Sequence, residues 1–207
     1  MTDAAFWDKI APKYARKPIS NPAAYEQKLA RLADLLNEGD RVLEVGCGTG
    51  GTALSLAQNV AHVVATDVSQ GMIEIARGKL GPGAPQNVTF QQADATDLID
   101  GRAFDAVCAF SLLHLVDDLP LVLERVRSQL KPGGLFISKT VCLKEGSFLI
   151  RPFIGVLRVL GIAPKVAFLS ADDVARRLRM AGFQIEDVSY FGSNQMNPFI
   201  VARRPGA

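Results

Sequence analysis

The chain is poor in the residues that build metal and redox centres. It has three cysteines, Cys47, Cys108 and Cys142, and two histidines, His62 and His114, among 207 residues, and none of them stands in a paired-ligand spacing. That argues against a zinc site or a Cys/His nucleophile and leaves the thiols as small packed side chains in a reducing compartment. No Ser/His/Asp arrangement has a local signature either. Charge of one sign is also missing: 23 basic against 21 acidic side chains leave a net charge of +2, so no global field draws the protein to nucleic acid. The longest apolar-rich stretch, residues 148–169, is broken by Arg151, Pro152, Arg158, Pro164 and Lys165 and falls short of a membrane-spanning helix. The first residues lack a basic segment followed by an apolar core, so a cytoplasmic location is expected rather than secretion. There is no repeat, low-complexity tract or linker. With 48% apolar residues, the length suits one well-buried domain over residues 1–207.

Against these absences stands one dense motif. The apolar pair Val42-Leu43 runs into Glu44-Val45-Gly46-Cys47-Gly48-Thr49-Gly50, after which a helical stretch runs from Thr52 to Gln58. This reads as strand, tight turn and helix N-terminus, with small residues that let a ligand touch the backbone. Gly46, Gly48 and Gly51 also satisfy the G-x-G-x-x-G pattern of nicotinamide and flavin enzymes, a weak signal alone. The carboxylate at Glu44 would repel a pyrophosphate and suit the ammonium and sulfonium of a methionyl group, as in S-adenosylmethionine. A second strand, Val63-Val64-Ala65-Thr66-Asp67, ends in an acidic residue where ribose hydroxyls are expected. A third, from Val88 to Gln92, leads into Ala93-Asp94-Ala95, which fits an adenine clamp.

The rest of the chain alternates between the two periodicities. Strands are expected at 41–46, 62–67, 87–92, 104–110 and 134–141. Asn21-Pro22 opens a helix with Tyr25, Leu29, Leu32, Leu35 and Leu36 on one face; Asp118 and Pro120 open another through Gln129; and Ser170 with Asp173 forms a capping-box start for a third that ends near Gly182. The segments 184–191 and 198–202 read as a terminal hairpin. Such alternation predicts a doubly wound, Rossmann-like, mostly parallel sheet with a C-terminal antiparallel hairpin, and a ligand site beyond the carboxyl ends of the strands.

In these motifs the chain resembles the class I S-adenosylmethionine-dependent methyltransferases along most of its length. Phe104-Asp105-Ala106-Val107 and Leu130-Lys131-Pro132-Gly133-Gly134 match the start of that family's fourth strand and the turn before its fifth. The opening Trp7-Asp8-Lys9-Ile10-Ala11-Pro12-Lys13-Tyr14-Ala15 is similar to the first helix of the small-molecule subgroup that includes quinone-biosynthesis methyltransferases. The resemblance implies a seven-stranded methyltransferase fold and S-adenosyl-L-methionine as cofactor, with S-adenosyl-L-homocysteine as product. It implies that Gly46, Cys47, Gly48 and Gly50, with Glu44, hold the methionyl part. Asp67 and the adjoining Val68 would take the ribose, Met72 would cover the nucleoside edge, and Asp94 with Ala95 would take the adenine. Phe110 and Ser111 lie at the end of the fourth strand, and Tyr14 corresponds to a tyrosine placed over the cofactor.

His114 follows the fourth strand where the family often has a histidine facing cofactor or acceptor, and it is the candidate catalytic base; a cap or packing role is its alternative. Lys139 could approach an acidic acceptor or be a solvated lysine. Asp105 and His62 read as structural. Residues 1–38 are expected to supply helices covering the site. Residues 143–169 form an inserted lid or substrate-recognition segment, with a dimer contact or weak peripheral membrane contact through 148–169 as alternatives. The partner expected is a small, lipophilic or aromatic methyl acceptor, with no nucleic acid and no metal. A nicotinamide-dependent oxidoreductase and a non-catalytic adenosine-ligand-binding protein are the rival functions.

Overall fold

The computed structural model describes residues 3–99, 101–146, 163–192 and 195–206. Two helices come first, α1 (Asp3–Ala15) and α2 (Pro22–Leu35). They are followed by β1 (Arg41–Val45), α3 (Gly51–Leu56), β2 (His62–Asp67), α4 (Gln70–Arg77) and β3 (Val88–Gln92). After these come β4 (Phe104–Phe110), α5 (Leu119–Gln129), β5 (Leu130–Lys139), α6 (Ala171–Met180), β6 (Gln184–Ser189) and β7 (Phe199–Arg203). The seven strands form one sheet in the order β3-β2-β1-β4-β5-β7-β6. β3 through β5 run parallel, while β7 is antiparallel to both β5 and β6. This is the mostly parallel sheet with a terminal hairpin that the sequence predicts.

Both faces of the sheet are covered, which is why the central strands are mostly apolar at successive positions rather than alternating. On one face Val42, Ala106, Cys108 and Ile137 pack with Leu32 of α2, Leu56 of α3 and Ile73 of α4. On the other, Leu43, Val107 and Phe136 pack with Val122 and Val126 of α5 and Leu178 of α6. Neighbouring residues of one strand face opposite ways, and both ways are core.

The helix boundaries follow from their caps. The Asn21 side chain accepts from Ala24 N at 3.0 Å with Pro22 beside it, and Asp118 accepts from Leu121 N at 3.0 Å. At α6, Ser170 Oγ accepts from Asp173 N and Asp173 Oδ2 accepts from Ser170 N, both at 3.1 Å, a complete capping box.

Several boundaries differ from the sequence expectation by a residue or more. β1 stops at Val45, because Gly46 already has φ +72°, and α3 ends at Leu56, before Gln58. β5 begins four positions early: Leu130 pairs with Phe104, and the pairing resumes at Ala106 and Leu135 after a register shift. Lys131-Pro132-Gly133-Gly134 is therefore an irregularity within a strand, with Gly133 at φ +80°, rather than a turn before one. Asp105 holds this end of the sheet, accepting from Arg41 N at 2.9 Å and from Lys131 Nζ at 2.7 Å, as its structural reading requires.

α1 lies on α4. Asp8 Oδ1 accepts from Ser69 Oγ at 2.6 Å and from Gly71 N at 2.9 Å, fastening the helix to the loop and first turn beyond β2. A Cβ on Gly71 would stand 3.5 Å from that of Ala11, so the two helices approach at a small residue on each. Among the described residues no helix is long and apolar enough to cross a membrane.

Candidate active site

Between β1 and β4 the chain's winding reverses direction, which opens a crevice at their carboxyl ends. A cavity of about 470 Å³ lies there. Gly46, Gly48, Asp67, Val68, Met72 and the Asp94–Thr96 run line one part of it, and Phe110, Ser111 and His114 line another. Tyr14 reaches it from α1. Eleven of the fourteen residues singled out from the sequence thus meet around one space, counting Ala95 within that run.

Glu44, Cys47 and Gly50 are not in the lining. Glu44 is 2% exposed, on the face of β1 that looks toward α2 and α3. Cys47 is buried, its thiol 3.6 Å from Gly48 O, and burial raises its pKa well above the usual range, so it stays a neutral thiol. Gly50 caps α3 at φ +76°, and a Cβ there would stand 2.7 Å from the Phe90 ring. These three shape the turn from behind and do not face the space it encloses.

Asp67 is the hub of the polar side. Its Oδ2 accepts from Gly48 N at 2.8 Å and its Oδ1 from Ser69 N at 3.0 Å. Burial raises its pKa, opposed by those two N–H bonds. A carboxylate accepts about four hydrogen bonds, so capacity remains for a pair of ligand hydroxyls. Asp94 Oδ1 accepts from Thr96 N at 2.9 Å and Thr96 Oγ1 at 2.7 Å, a local turn that orients the group beyond β3.

At the end of β4, Ser111 has φ +56°, the single non-glycine residue with positive φ among the described residues. Its N–H donates to Lys139 O at 2.7 Å. That uncommon conformation swings the chain from the sheet into the turn carrying His114, where Leu115 N donates to Leu112 O at 2.7 Å. His114 is 8% exposed; its Nδ1 is buried without a hydrogen-bond partner, and burial lowers its pKa to about 4. The ring is neutral at pH 7, the form that can accept a proton.

The remaining lining is mainly apolar and was not singled out residue by residue from the sequence: Trp7, Leu112, Leu115, Val116, Val122 and Val166. Trp7 was legible in principle, since it precedes Tyr14 by two helical turns and so shares its face; the rings meet edge to face with centroids 6.4 Å apart. Of the inserted segment 143–169, residues 147–162 lie outside the described residues. Its last part is held against the cavity: Ala167 N donates to His114 O at 2.7 Å, Lys165 pairs with Asp117, and Pro164 and Val166 join the lining. Lys139 stays outside the cavity, half-buried, with Nζ 6.0 Å from the centroid of the Phe191 ring. Among the described residues no cluster of His, Cys, Asp or Glu could hold a metal ion.

Comparison with known proteins agrees with this arrangement. A family model described as a methyltransferase domain matches residues 17–188. The chain is 31% identical over 192 residues to a ubiquinone biosynthesis O-methyltransferase of Xanthomonas axonopodis pv. citri, covering 89% of this chain and 77% of that protein. It is 43% identical over 140 residues to a demethylmenaquinone methyltransferase of Clavibacter sepedonicus, covering 65% of this chain and 56% of that one. Among solved structures, a methyltransferase in complex with the Haloferax volcanii Trm112 methyltransferase activator superposes with a TM-score of 0.82 at 18% identity, over 100% of this chain and 99% of that one, and speaks for the fold. Neither an oxidoreductase nor a non-catalytic binding protein finds support here. With the matched domain running from before the glycine turn to the last residues of β6, the chain belongs to the class I methyltransferases, which draw their methyl group from S-adenosylmethionine.

Proposed function

We propose that the protein methylates a lipophilic or aromatic small molecule, with a quinol-like ring as the leading acceptor class. The observation that carries this reading is the make-up of the cavity. Its polar lining comes from the ends of β1 to β3 and, beyond β4, from Ser111, His114, Asp117 and Asp118, while its apolar lining comes from Trp7, Leu112, Leu115, Val116, Val122, Pro164 and Val166. The first suits an adenosine and the second a greasy acceptor. Two relatives are named for ubiquinone and demethylmenaquinone methylation, which supports a ring acceptor.

S-adenosylmethionine would supply an already activated methyl on sulfur, so alignment of the acceptor atom provides much of the rate acceleration. Asp67 would hold the ribose hydroxyls, Asp94 with Ala95 the adenine, and the Gly46–Gly48 backbone the methionyl part. Met72 and Tyr14 would pack against the nucleoside. His114, a cavity-lining residue whose imidazole is neutral at pH 7, would accept the proton from a phenolic hydroxyl as its oxygen is methylated. Trp7 and residues 164–166 would exclude water. Three buried free cysteines fit a reducing compartment, the basis for placing the protein in the cytoplasm.

The test is methyl transfer from labelled S-adenosylmethionine to a panel of catechols, quinols and small polar amines. Val116→Asp should raise KM for the ring acceptors at least tenfold, the scale of a lost apolar contact plus a buried charge, with S-adenosylhomocysteine affinity unchanged. Activity confined to small polar amines would reject the lipophilic reading.

A further inference from the structure

A second cavity, of about 630 Å³, opens between α5 and α6 and shares no lining residue with the active-site cavity. α5 is the wall between them: Val122 lines the active site, and the next residue, Leu123, lines this cleft. Pro120, Leu123, Met180 and Ala181 give the cleft an apolar surface, on which Met180 stands 78% exposed. A concave surface of this size is in the range that encloses a small organic molecule.

The cations of the cleft are unmatched. Arg127 of α5 and Arg177 of α6 both line it, and among the described residues neither guanidinium makes a hydrogen bond or an ion pair. The Nε of each is buried without a partner, while the terminal nitrogens stay accessible. Arg176, also in the lining, is already paired with Asp173 at 3.0 Å. An arginine in the last turn of a helix offsets the helix dipole, which is account enough for the exposed Arg179. Arg127 is placed otherwise. A Cβ on Gly182 would stand 3.1 Å from its Nε and 3.5 Å from its Cζ, so the guanidinium crosses from α5 to the turn that closes α6. Arg177 lies in the last turn of α6, and the two cations therefore gather at one end of the cleft. Leu123 and Pro120, one and two turns earlier in α5, carry the apolar wall away from them. Shutting water off from Nε is costly for a guanidinium, and a charge-assisted bond to an anion offsets that cost.

We propose that the α5–α6 cleft binds a small amphipathic carboxylate, its anionic end bridging Arg127 and Arg177 and its apolar body lying along Leu123, Pro120 and Met180. A guanidinium offers its N–H groups as a flat fork that fits a carboxylate, and one from each wall would tie the two helices through the ligand. Glu124, the acid in the lining, sets the charge of the occupant. Two unpaired guanidiniums less one carboxylate leave a single positive charge, which a carboxylate matches and a phosphate dianion exceeds.

The experiment titrates the full chain at neutral pH with decanoate, decanol and decylammonium, three probes that share one apolar body and differ in the charge of its end. Decanoate should bind, decanol about tenfold or more weakly, and decylammonium not measurably, the scale of hydrogen bonds to charged groups. Arg127→Gln and Arg177→Gln should each weaken decanoate about tenfold or more. Met180→Glu should do the same, and at a position so exposed it leaves the fold intact. Glu124→Gln should strengthen decanoate severalfold. Val116→Asp, which alters the acceptor wall on the other side of α5, should bind decanoate as the unmodified protein does. Equal affinity for decanoate and decanol would overturn the proposal, as would a loss in Val116→Asp that Arg177→Gln does not share, since decanoate would then occupy the active site. Sedimentation with phosphatidylglycerol vesicles in the absence of decanoate binding would overturn it in favour of a membrane surface.

Discussion

Asp67 Oδ2 accepts the Gly48 N–H at 2.8 Å, so the carboxylate at the end of β2 ties down the turn at the end of β1. The same side chain that faces the cavity therefore also shapes its floor. Asp67→Ala should weaken S-adenosylhomocysteine binding by about 2–4 kcal/mol, from two hydrogen bonds to a charged group that do not add fully. It should also lower unfolding stability by about 1–3 kcal/mol, because the Gly48 and Ser69 N–H groups lose their acceptor. Titration calorimetry and denaturant melts measure the two losses separately, and unchanged ligand affinity would remove Asp67 from the ribose site.

Gly48 and Gly50 both have positive φ, at +54° and +76°, yet substitution should fail in different ways. A Cβ on Gly50 would meet the Phe90 ring at 2.7 Å and Ala76 Cβ at 2.9 Å, so Gly50→Ala should cost about 2–5 kcal/mol of stability through overpacking and backbone strain. At Gly48 the nearest atom is Tyr14 Cε1 at 3.9 Å, in the cavity lining. Gly48→Ala should cost only the backbone term, about 1–2 kcal/mol, and a bulkier residue there should abolish S-adenosylhomocysteine binding in a folded protein. Thermal melts with and without ligand distinguish the two cases.

His114 should make the protein acid-sensitive. Its folded pKa, about 4 against the ordinary 6.5, is lowered by burial, so between those values the unfolded chain binds a proton that the folded one does not. Stability therefore falls as pH drops from 6.5 towards 4, by on the order of 2 kcal/mol from this group. Urea titrations at pH 7 and pH 4.5 should show a smaller drop for His114→Asn than for the unmodified protein, and equal drops would count against a neutral buried imidazole. If His114 accepts the acceptor's proton, the same variant should lower kcat roughly a hundredfold towards a phenol and leave cofactor affinity nearly intact.

Ser111 holds φ +56° at the exit of β4. Ser111→Gly should keep or slightly raise stability, whereas Ser111→Val should lower it by about 1–3 kcal/mol, because a branched Cβ is disfavoured in that region. Chemical denaturation of the two variants decides it; a stable valine variant would mean that the turn relaxes elsewhere.

The parts of the site that could be read in the sequence are those fixed by chain position alone. Asp67 and Asp94 follow apolar runs, and the end of a parallel strand leads into the crevice whatever else the chain does. The caps at Asn21, Asp118 and Ser170 are similarly local. Glu44 shows where this reasoning stops: an acid two places before a glycine turn can face the ligand or the layer beneath it, and strand alternation turns it to the opposite side from Val45. Gly48 and Gly50 are equivalent by spacing, and what separates them is Phe90, forty residues on. The apolar wall from Leu112, Val116 and Val166 has no motif, because any packed residue of about the right size would serve, and only the docking of residues 164–167 on the turn carrying His114 brings it together.

The strand order has a consequence for assembly. β6 precedes β7 in the chain but lies outside it, touching the sheet only through β7. The outer strand therefore has nothing to zip onto until the inner one is in place, and the hairpin docks as one unit or not at all. A break in β7 would strip two strands rather than one and leave β5 as a raw margin, with Phe136, Ile137 and Ser138, each buried at present, on an open row of unpaired backbone groups. Such a margin invites pairing between molecules, so damage to residues 199–203 should announce itself as precipitation before it registers as lost activity.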